Sequence, residues 1–245
     1  MANGNDALSI NFNNGFGTIT NAWNIDTSVP GQVTLAGVSA MMEWATGPSS
    51  GHGYGTYTVE AKLTGNQPGP AIVMWPGDNH WPGQEMDLVE LLPNGGGQQY
   101  ATVHWDNGGD SYVGKIFDSV TPNAWHEYQM VWEPGRITIN VDGKTQATFT
   151  DHVPVDYAHG GMNNTIGFLN TNDNTSITVS QVDYVPLGGS VATPSVTALL
   201  TSVVHTTESK VNALGEPLLA NGNIDWDTLA ATVMANYYAT GQWHL

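Results

Sequence analysis

The sequence predicts an all-β protein built as an antiparallel sandwich, and three observations lead to that prediction. Apolar and polar residues alternate with a period of two along many short segments, as they do in half-buried strands. The composition is rich in turn formers, with 29 Gly and 13 Pro among 245 residues. Clusters such as "TGPSSGHGYG", "PNGGG" and "NTND" separate the alternating segments at short intervals, and this spacing is typical of sandwiches.

The predicted strands follow one another along the first three-quarters of the chain. "ALSINFN" alternates Leu8, Ile10 and Phe12 with polar residues, and "GTYTVEAKL" repeats the pattern from residue 55 onward. "RITINVDGK" ends in Asp142 and Gly143, a dipeptide that signals a two-residue hairpin turn. "SITVSQVDYV" is the last predicted strand.

The alternating strand pattern ends at about residue 187. We therefore divide the chain into a sandwich over 1–187 and an extension over 188–245. The extension begins with "GGSVATPS", which reads as a linker. "DWDTLAATVMANYYATG" then predicts a short helix, with Asp225 as its N-cap and Gly241 just beyond its last turn. Its apolar residues fall on one face: Trp226, Leu229, Ala230, Val233 and Tyr237.

The charge balance excludes several classes of partner. Five Lys and Arg residues stand against 22 Asp and Glu residues, which gives a formal net charge of −17. Such a chain lacks the cations that replace counterions on nucleic acids or on an anionic membrane surface. No apolar run approaches the length of a membrane span. The sequence contains no Cys, so thiol chemistry is excluded.

The segment "EMDLVE", residues 85–90, places three carboxylates in an otherwise uncharged stretch. In a plain strand Glu85 and Asp87 share a face, whereas Glu90 falls on the apolar face with Leu88. Burial of an unpaired carboxylate there would cost several kcal/mol. One extra residue near Leu88 and Val89 would remove the conflict, and a β-bulge inserts such a residue. We therefore predict a bulge that turns all three carboxylates to one face.

Two carboxylates on either side of a glycosidic bond are the usual machinery of glycoside hydrolysis. One must be ionised to attack the anomeric carbon, and the other must be protonated near neutral pH to act as the acid. A third carboxylate between them raises the pKa of its neighbour. On spacing alone, a solvated acidic edge strand explains the motif equally well.

The surrounding landmarks resemble glycoside hydrolase family 16. "EMDLVE" matches the E-x-D-x-x-E signature of that family. Five further segments resemble its strands in the same order along residues 8–187: "YGTYTVEAKL", "AIVMWPGDNHWPGQ", "TVHW", "WHEYQMVWEPGRITINVDGK" and "VDYVPL". The resemblance implies a β-jelly roll, in which two curved antiparallel sheets carry a substrate cleft across the concave one. It also implies hydrolysis of internal β-linkages in polysaccharides with retention of configuration.

The resemblance assigns roles residue by residue. Glu85 would be the nucleophile, Asp87 the assisting carboxylate and Glu90 the acid/base. Hydrogen bonds would keep Glu85 ionised, while the charge of Asp87 would keep Glu90 protonated. Candidate contacts to the substrate are Trp75, Trp81, His104, Trp105 and Asn170.

The predicted activity is that of an endo-β-glucanase acting on β-1,3 or mixed β-1,3/1,4 glucan, because the six-residue motif resembles that of laminarinase-like members. Two alternative functions use the same three carboxylates and are not separated by the sequence: a depolymerase of succinoglycan-type bacterial exopolysaccharide and a transglycosylase. A lectin-like binding module is the alternative from another class. The scarcity of Lys and Arg argues against a highly anionic substrate such as carrageenan.

The resemblance implies no cofactor for catalysis and one structural Ca²⁺ with Asp183 as a ligand, although an ordinary exposed strand aspartate explains Asp183 equally well. The histidines lack the spacing of a transition-metal site. The expected partner is a polysaccharide. We expect an extracellular monomer, or a part of a longer secreted protein. "MANGNDALSI" shows no signal peptide, so we expect that it was removed or that export follows another route.

Overall fold

The computed structural model describes most of the chain up to residue 188 and two short segments beyond it, namely residues 7–43, 51–93, 96–156, 163–188, 210–211 and 217–218. Within these residues the regular secondary structure is entirely β. The predicted helix at 225–241 lies outside them. In the described part of the chain, no helix has the length and apolar character needed to cross a membrane.

The chain divides into two compact units, Met1–Ser190 and Val191–Leu245. The strands described in the first unit are β1 (Leu8–Ile10), β2 (Asn21–Asp26), β3 (Val33–Met42), β4 (Gly55–Thr64), β5 (Pro70–Pro76), β6 (Met86–Leu91), β7 (Gln99–Asp106), β8 (Asp110–Ile116), β9 (Trp125–Glu133), β10 (Arg136–Val141), β11 (Lys144–Phe149), β12 (Asn164–Asn170) and β13 (Ser176–Pro186). In the second unit, β14 (Lys210–Val211) pairs with β15 (Pro217–Leu218).

The strands of the first unit form one antiparallel sheet in the order β11-β10-β9-β4-β13-β3-β12-β5-β6-β7-β8, with β1 beside β13 and β2 beside β3. The sheet curls until its two end strands, β8 and β11, contact each other. Apolar side chains from both halves fill the space enclosed by this curl. The predicted all-β sandwich is therefore confirmed, as a nearly closed jelly roll.

The local patterns produce the elements that they predicted. In β4, Tyr57, Val59 and Ala61 are buried while Glu60 between them is exposed. The hairpin between β10 and β11 turns at Asp142 and Gly143, which have φ of 51° and 74°. Two consecutive residues with positive φ are the mark of a type I′ turn, whose twist matches the flanking strands.

Strands β5 and β12 lie in the middle of the sheet and are buried along their whole length. One face of these strands and of the adjoining β6 and β7 packs against the core. The opposite face carries Asp87 and its cross-strand partners Val73 and Thr102, because residues directly opposite in neighbouring strands share a face. We call this second face the cleft face.

Candidate active site

Strand β6 contains the predicted bulge. Against β5, Asp87 pairs with Val73 and Val89 pairs with Ile72, so Leu88 is an extra residue between adjacent pairs. Against β7 the register likewise shifts between Asp87 and Glu90. Leu88 and Val89 are both fully buried in the core. The bulge therefore resolves the conflict in the motif, because it adds a second core residue and returns Glu90 to the cleft face.

The three carboxylates lie close together on the cleft face. Glu85 and Asp87 are 8% and 3% exposed, and one carboxylate oxygen of each lies within 4.8 Å of the other and of a ring nitrogen of His104. Glu90 is half-buried and accepts a hydrogen bond of 2.9 Å from Thr102 Oγ1. The alternative of a solvated acidic edge does not fit this burial.

Backbone contacts fix the start of the acidic strand. The backbone N–H of His104 in β7 donates to the carbonyl oxygen of Glu85 at 2.9 Å. Asn164, at the start of β12, donates from its side-chain nitrogen to the carbonyl oxygens of Gln84, at 2.6 Å, and Met74, at 3.1 Å. The bonds to Gln84 and Glu85 satisfy carbonyls where the preceding loop enters β6, and the bond to Met74 connects the same asparagine to β5. The position of Glu85 therefore does not depend on that loop alone.

His104 links two acidic residues. Its Nε2 lies 3.4 Å from Asp87 Oδ2, and its Nδ1 lies 2.9 Å from Asp110 Oδ1. Burial by itself would lower the pKa of His104, but the two carboxylates outweigh burial and raise it to about 9. At neutral pH the ring is therefore an imidazolium whose charge offsets part of the negative charge of the site. This places the predicted residue His104 at the site.

Glu90 has the protonation expected of an acid. Burial and the charge of Asp87 raise its pKa to about 7, against the opposing effect of hydrogen bonds from Thr102 and Tyr100. The Tyr100 hydroxyl, whose own pKa is raised by burial and by Glu90, stays protonated and remains a donor. A substantial fraction of Glu90 therefore holds its proton at neutral pH.

Glu85 differs from the expectation that hydrogen bonds hold it ionised. Burial, followed by the charges of Asp87 and Glu90, raises its pKa well above the ordinary value. Burial raises the pKa of Asp87 as well, although His104 opposes this shift. Ionisation of either carboxyl group therefore disfavours ionisation of the other, because the two like charges are close together and buried.

A strip of aromatic rings borders the carboxylates. The ring of Trp81 stacks on Trp75 with centroids 5.2 Å apart, and lies 5.5 Å from His104. His104 in turn lies 5.4 Å from the ring of Tyr112, which is exposed. Trp75 is only 4% exposed. Of the two predicted tryptophans, Trp81 has the more accessible ring beside the site and Trp75 stacks on it, and contact of both with the substrate stays a prediction.

Trp105 does not reach the cleft face. It follows His104 directly in β7, and successive side chains of a strand point to opposite faces. Its ring stacks on His152 at 3.7 Å and lines a cavity of about 320 Å³ with Val113, Phe149 and other residues near β8 and β11. The prediction that Trp105 contacts substrate beside the carboxylates is therefore corrected.

Asn170 is also corrected, because it is completely buried. Its side-chain nitrogen donates to the carbonyl oxygens of Gly37 and Thr175, each at 2.7 Å, and its Oδ1 accepts from Thr175 Oγ1 at 2.6 Å. These bonds tie the end of β12 to the turn before β13. Asn170 therefore has a structural role, and no substrate contact is open to it.

Asp183 lies in β13 opposite Ser9 and Thr58. Both of its carboxylate oxygens accept hydrogen bonds from Gln181 Nε2, at 2.9 and 3.0 Å. Among the described residues it does not belong to a group of three His, Cys, Asp or Glu side chains that could share a metal ion. Ca²⁺ takes six to eight oxygen ligands, so a single carboxylate already bonded to an amide is a poor match, and the calcium site stays a prediction.

Three residues of the site had no place in the sequence-based prediction: Tyr100, Thr102 and Asp110. Tyr100 and Thr102 precede His104 at spacings of four and two in "YATVH", which puts all three on one face of a strand. Counting back in steps of two from His104 along the predicted strand would therefore have identified Tyr100 and Thr102 as site residues. Asp110 opposes Asp106 across the hairpin that joins β7 to β8, and only that pairing brings it to His104.

Solved structures with similar folds include several glucanases. The β-glucanase of Bacillus licheniformis has a TM-score of 0.56 at 18% identity, with 74% of this chain and 98% of that chain covered. A prokaryotic β-1,3-1,4-glucanase (lichenase) from a mouse hindgut metagenome has a TM-score of 0.55 at 17% identity, covering 74% and 99%. LamA of Zobellia galactanivorans in complex with laminaritriose and laminaritetraose has a TM-score of 0.50 at 13% identity, covering 64% and 79%.

A comparison with curated protein sequences found no match. The family model described as glycosyl hydrolases family 16 matches residues 12–185. This range contains the bulged acidic strand, the aromatic strip and the complete sheet apart from β1 and the last residue of β13. The chain therefore belongs to glycosyl hydrolase family 16 and is a glycoside hydrolase.

Proposed function

We propose that this protein is an endo-β-glucanase that hydrolyses β-1,3 or mixed β-1,3/1,4 linkages with retention of the anomeric configuration. The observation that carries the proposal is the bulge in β6, which brings Glu85, Asp87 and Glu90 to one face and leaves Glu90 with a pKa of about 7. A carboxyl group that is partly protonated at neutral pH suits a general acid. Because such polymers occur outside cells, we expect the enzyme to act there.

In the first step, Glu90 gives its proton to the glycosidic oxygen while the Glu85 carboxylate attacks the anomeric carbon. The bond from that carbon to the leaving sugar breaks, and an ester bond to Glu85 forms. Glu90 is left ionised, hydrogen-bonded to Thr102. In the second step, Glu90 takes a proton from water as the water oxygen attacks the same carbon. The ester bond breaks, Glu85 leaves as a carboxylate, and two inversions retain the configuration.

The roles of Glu85 and Glu90 determine which protonation state is active. Attack requires that Glu85 is ionised, whereas Glu90 must keep its proton. The imidazolium of His104, between Asp87 and Asp110, favours the first condition because it offsets the negative charge on Asp87. Asp87 therefore acts through Glu85 and Glu90, and His104 acts through Asp87.

The substrate class rests on three further points. The similar structures named above are glucanases or carry bound laminari-oligosaccharides. The six-residue spacing of the acidic motif resembles that of laminarinase-like members of the family. The chain has only five Lys and Arg residues, which suits a neutral polysaccharide better than an anionic one.

Product analysis on laminarin, lichenan, curdlan, agarose and succinoglycan tests this proposal, with Glu85→Gln as the inactive control. We expect oligosaccharides from laminarin or lichenan, with the β-anomer formed first in proton NMR spectra of the new reducing ends. Cleavage of agarose or succinoglycan alone would overturn the substrate class. Initial formation of the α-anomer would overturn the retaining mechanism and the role of Glu85. Products longer than the substrate would identify a transglycosylase.

A further inference from the structure

An exposed tryptophan lies on the same side of the sheet as the carboxylates, at its far edge. Trp23, in β2, is 44% exposed. The preceding Ala22 packs against the core, so alternation turns Trp23 to the opposite face. Among the described residues, none stacks on its ring or accepts a hydrogen bond from its indole nitrogen. Both faces of its ring therefore lack a partner within that part of the chain.

The strand register connects Trp23 to Glu90 through a single cross-strand row. From Glu90 the paired positions run to Ala71 in β5, Leu169 in β12, Ala40 in β3 and Trp23 in β2. Residues directly opposite one another in antiparallel strands share a face. The row therefore lies on the cleft face from end to end.

The row is long, and its middle positions carry uncharged aliphatic side chains. Neighbouring strands lie about 4.8 Å apart, so four steps separate Trp23 from Glu90 by about 19 Å, a span of several sugar rings. Between them stand only two alanines and one leucine. In the adjacent row, the side chain of Met42 fills the space beside Gly167, since a Cβ there would lie 2.6 Å from Met42 Cε. No charged side chain stands between Glu90 and Trp23 in either row.

We propose that Trp23 is the stacking platform of a distal sugar-binding subsite, several rings from the bond that Glu90 protonates. This inference rests on the proposed function, because it takes the carboxylates as the point of cleavage. A polysaccharide chain that crosses the strands passes from the carboxylates over this uncharged row to Trp23. The indole offers a flat apolar surface without charge, which suits the C–H face of a neutral β-linked sugar. A chain too short to reach Trp23 gains nothing from it.

The test measures kcat/KM on β-1,3-glucan and mixed-linkage oligosaccharides of stepwise increasing length for wild type and Trp23→Ala. Trp125→Ala is the matched control: Trp125 is 39% exposed on β9, a strand of the other half of the sheet. For the wild type we expect kcat/KM to rise about tenfold at the length that first reaches Trp23, which corresponds to about 1.4 kcal/mol. Trp23→Ala should lose this rise and match wild type on shorter substrates. Trp125→Ala should retain it.

A loss of equal size at every length, or no loss at any length, would overturn the role of Trp23. To separate this outcome from a failure of the proposed function, binding is measured in Glu85→Gln by calorimetry across the same five polysaccharides used for product analysis. If a polysaccharide other than a β-glucan is bound, and Trp23→Ala weakens that binding, the subsite stands and the substrate class fails. If the bound polysaccharide is held equally tightly without Trp23, or if none is bound, the subsite is rejected.

Discussion

At the scale of single residues, Glu90 lies among groups that act on its proton in opposite directions. Burial and Asp87 raise its pKa, whereas Thr102, Tyr100 and His104 lower it. The balance leaves the pKa at about 7, where an acid catalyst is most useful at neutral pH. Each of these neighbours is therefore expected to tune the pH range in which the enzyme works.

Substitution of the carboxylates tests their roles directly. We expect Glu85→Gln and Glu90→Gln each to lower kcat by about 10²–10⁴-fold, because each removes a group that makes or breaks a bond. Asp87→Asn should lower kcat less, because Asp87 acts through its neighbours. Circular dichroism should show that the variants are folded, and Asp118→Asn, at an exposed position, is the control. Near-normal turnover by Glu85→Gln would contradict the assignment.

The pH profile tests the proton on Glu90. Because Glu90 must be protonated to act, kcat/KM should fall as pH rises through about 7. Removing the negative charge of Asp87 makes ionisation of Glu90 easier, so in Asp87→Asn the fall should begin at lower pH. In this variant His104 also loses a carboxylate that raises its pKa, so less of it is an imidazolium. Because Asp87 affects the pKa of Glu90 more than His104 does, this second change should not reverse the shift. An unchanged basic limb in Asp87→Asn would argue against electrostatic coupling of the two residues.

The raised pKa of Glu90 also implies a cost in stability. For an acid whose pKa is higher in the folded state, the free energy of unfolding is greatest below the unfolded-state pKa and declines as pH rises through the folded-state value. A rise from 4.5 to about 7 corresponds to about 3 kcal/mol. Glu90→Gln should therefore stabilise the protein by up to about that amount at pH 8 and little at pH 4, measured by urea unfolding. A gain of equal size at both pH values would indicate a cause other than ionisation.

At the scale of elements, the bulge in β6 can be tested by removing its extra residue. Deletion of Leu88 leaves Glu85, Asp87 and Glu90 at plain alternating positions, so they still share a face. The lost burial of a leucine should cost about 3 kcal/mol of stability, with measurable activity retained. Deletion of Met86, which is equally buried, puts Glu85 out of phase and should abolish activity. Loss of activity in both folded deletion variants would show that the bulge itself is required.

Sequence patterns predicted those elements whose cause is local. The alternation in β4, the turn at Asp142 and Gly143, and the bulge beside Leu88 each follow from a conflict or a period within a few residues. Burial of Asn170 depends on β3, which is distant in sequence. The raised pKa of Glu85 likewise arises from burial by the assembled sheet. The wrong prediction for Trp105 could have been avoided from the sequence alone. Trp105 directly follows His104 in a strand, so the two side chains cannot lie on the same face.

At the scale of the whole molecule, truncation between the two compact units tests whether the second unit is needed for catalysis. Leu187 donates its backbone N–H to the carbonyl oxygen of Tyr54 at 2.9 Å, so the first unit includes residues just beyond β13. A chain ending at Ser190, the boundary of the first unit, should retain the kcat of the full chain if it stays soluble. The comparison is made on soluble glucan with both proteins checked by circular dichroism. A folded but inactive truncation would show that residues 191–245 contribute to catalysis.

The extra residue in β6 has a consequence for how such enzymes can diverge. Most in-frame codon losses within a strand reverse every side chain downstream of the loss, and selection removes them. Here the loss of the codon for Leu88 or for Val89 would shorten the motif by one position and still leave its acids in phase. An active Leu88 deletion variant would therefore show that one mutational event can shorten the motif without an inactive intermediate.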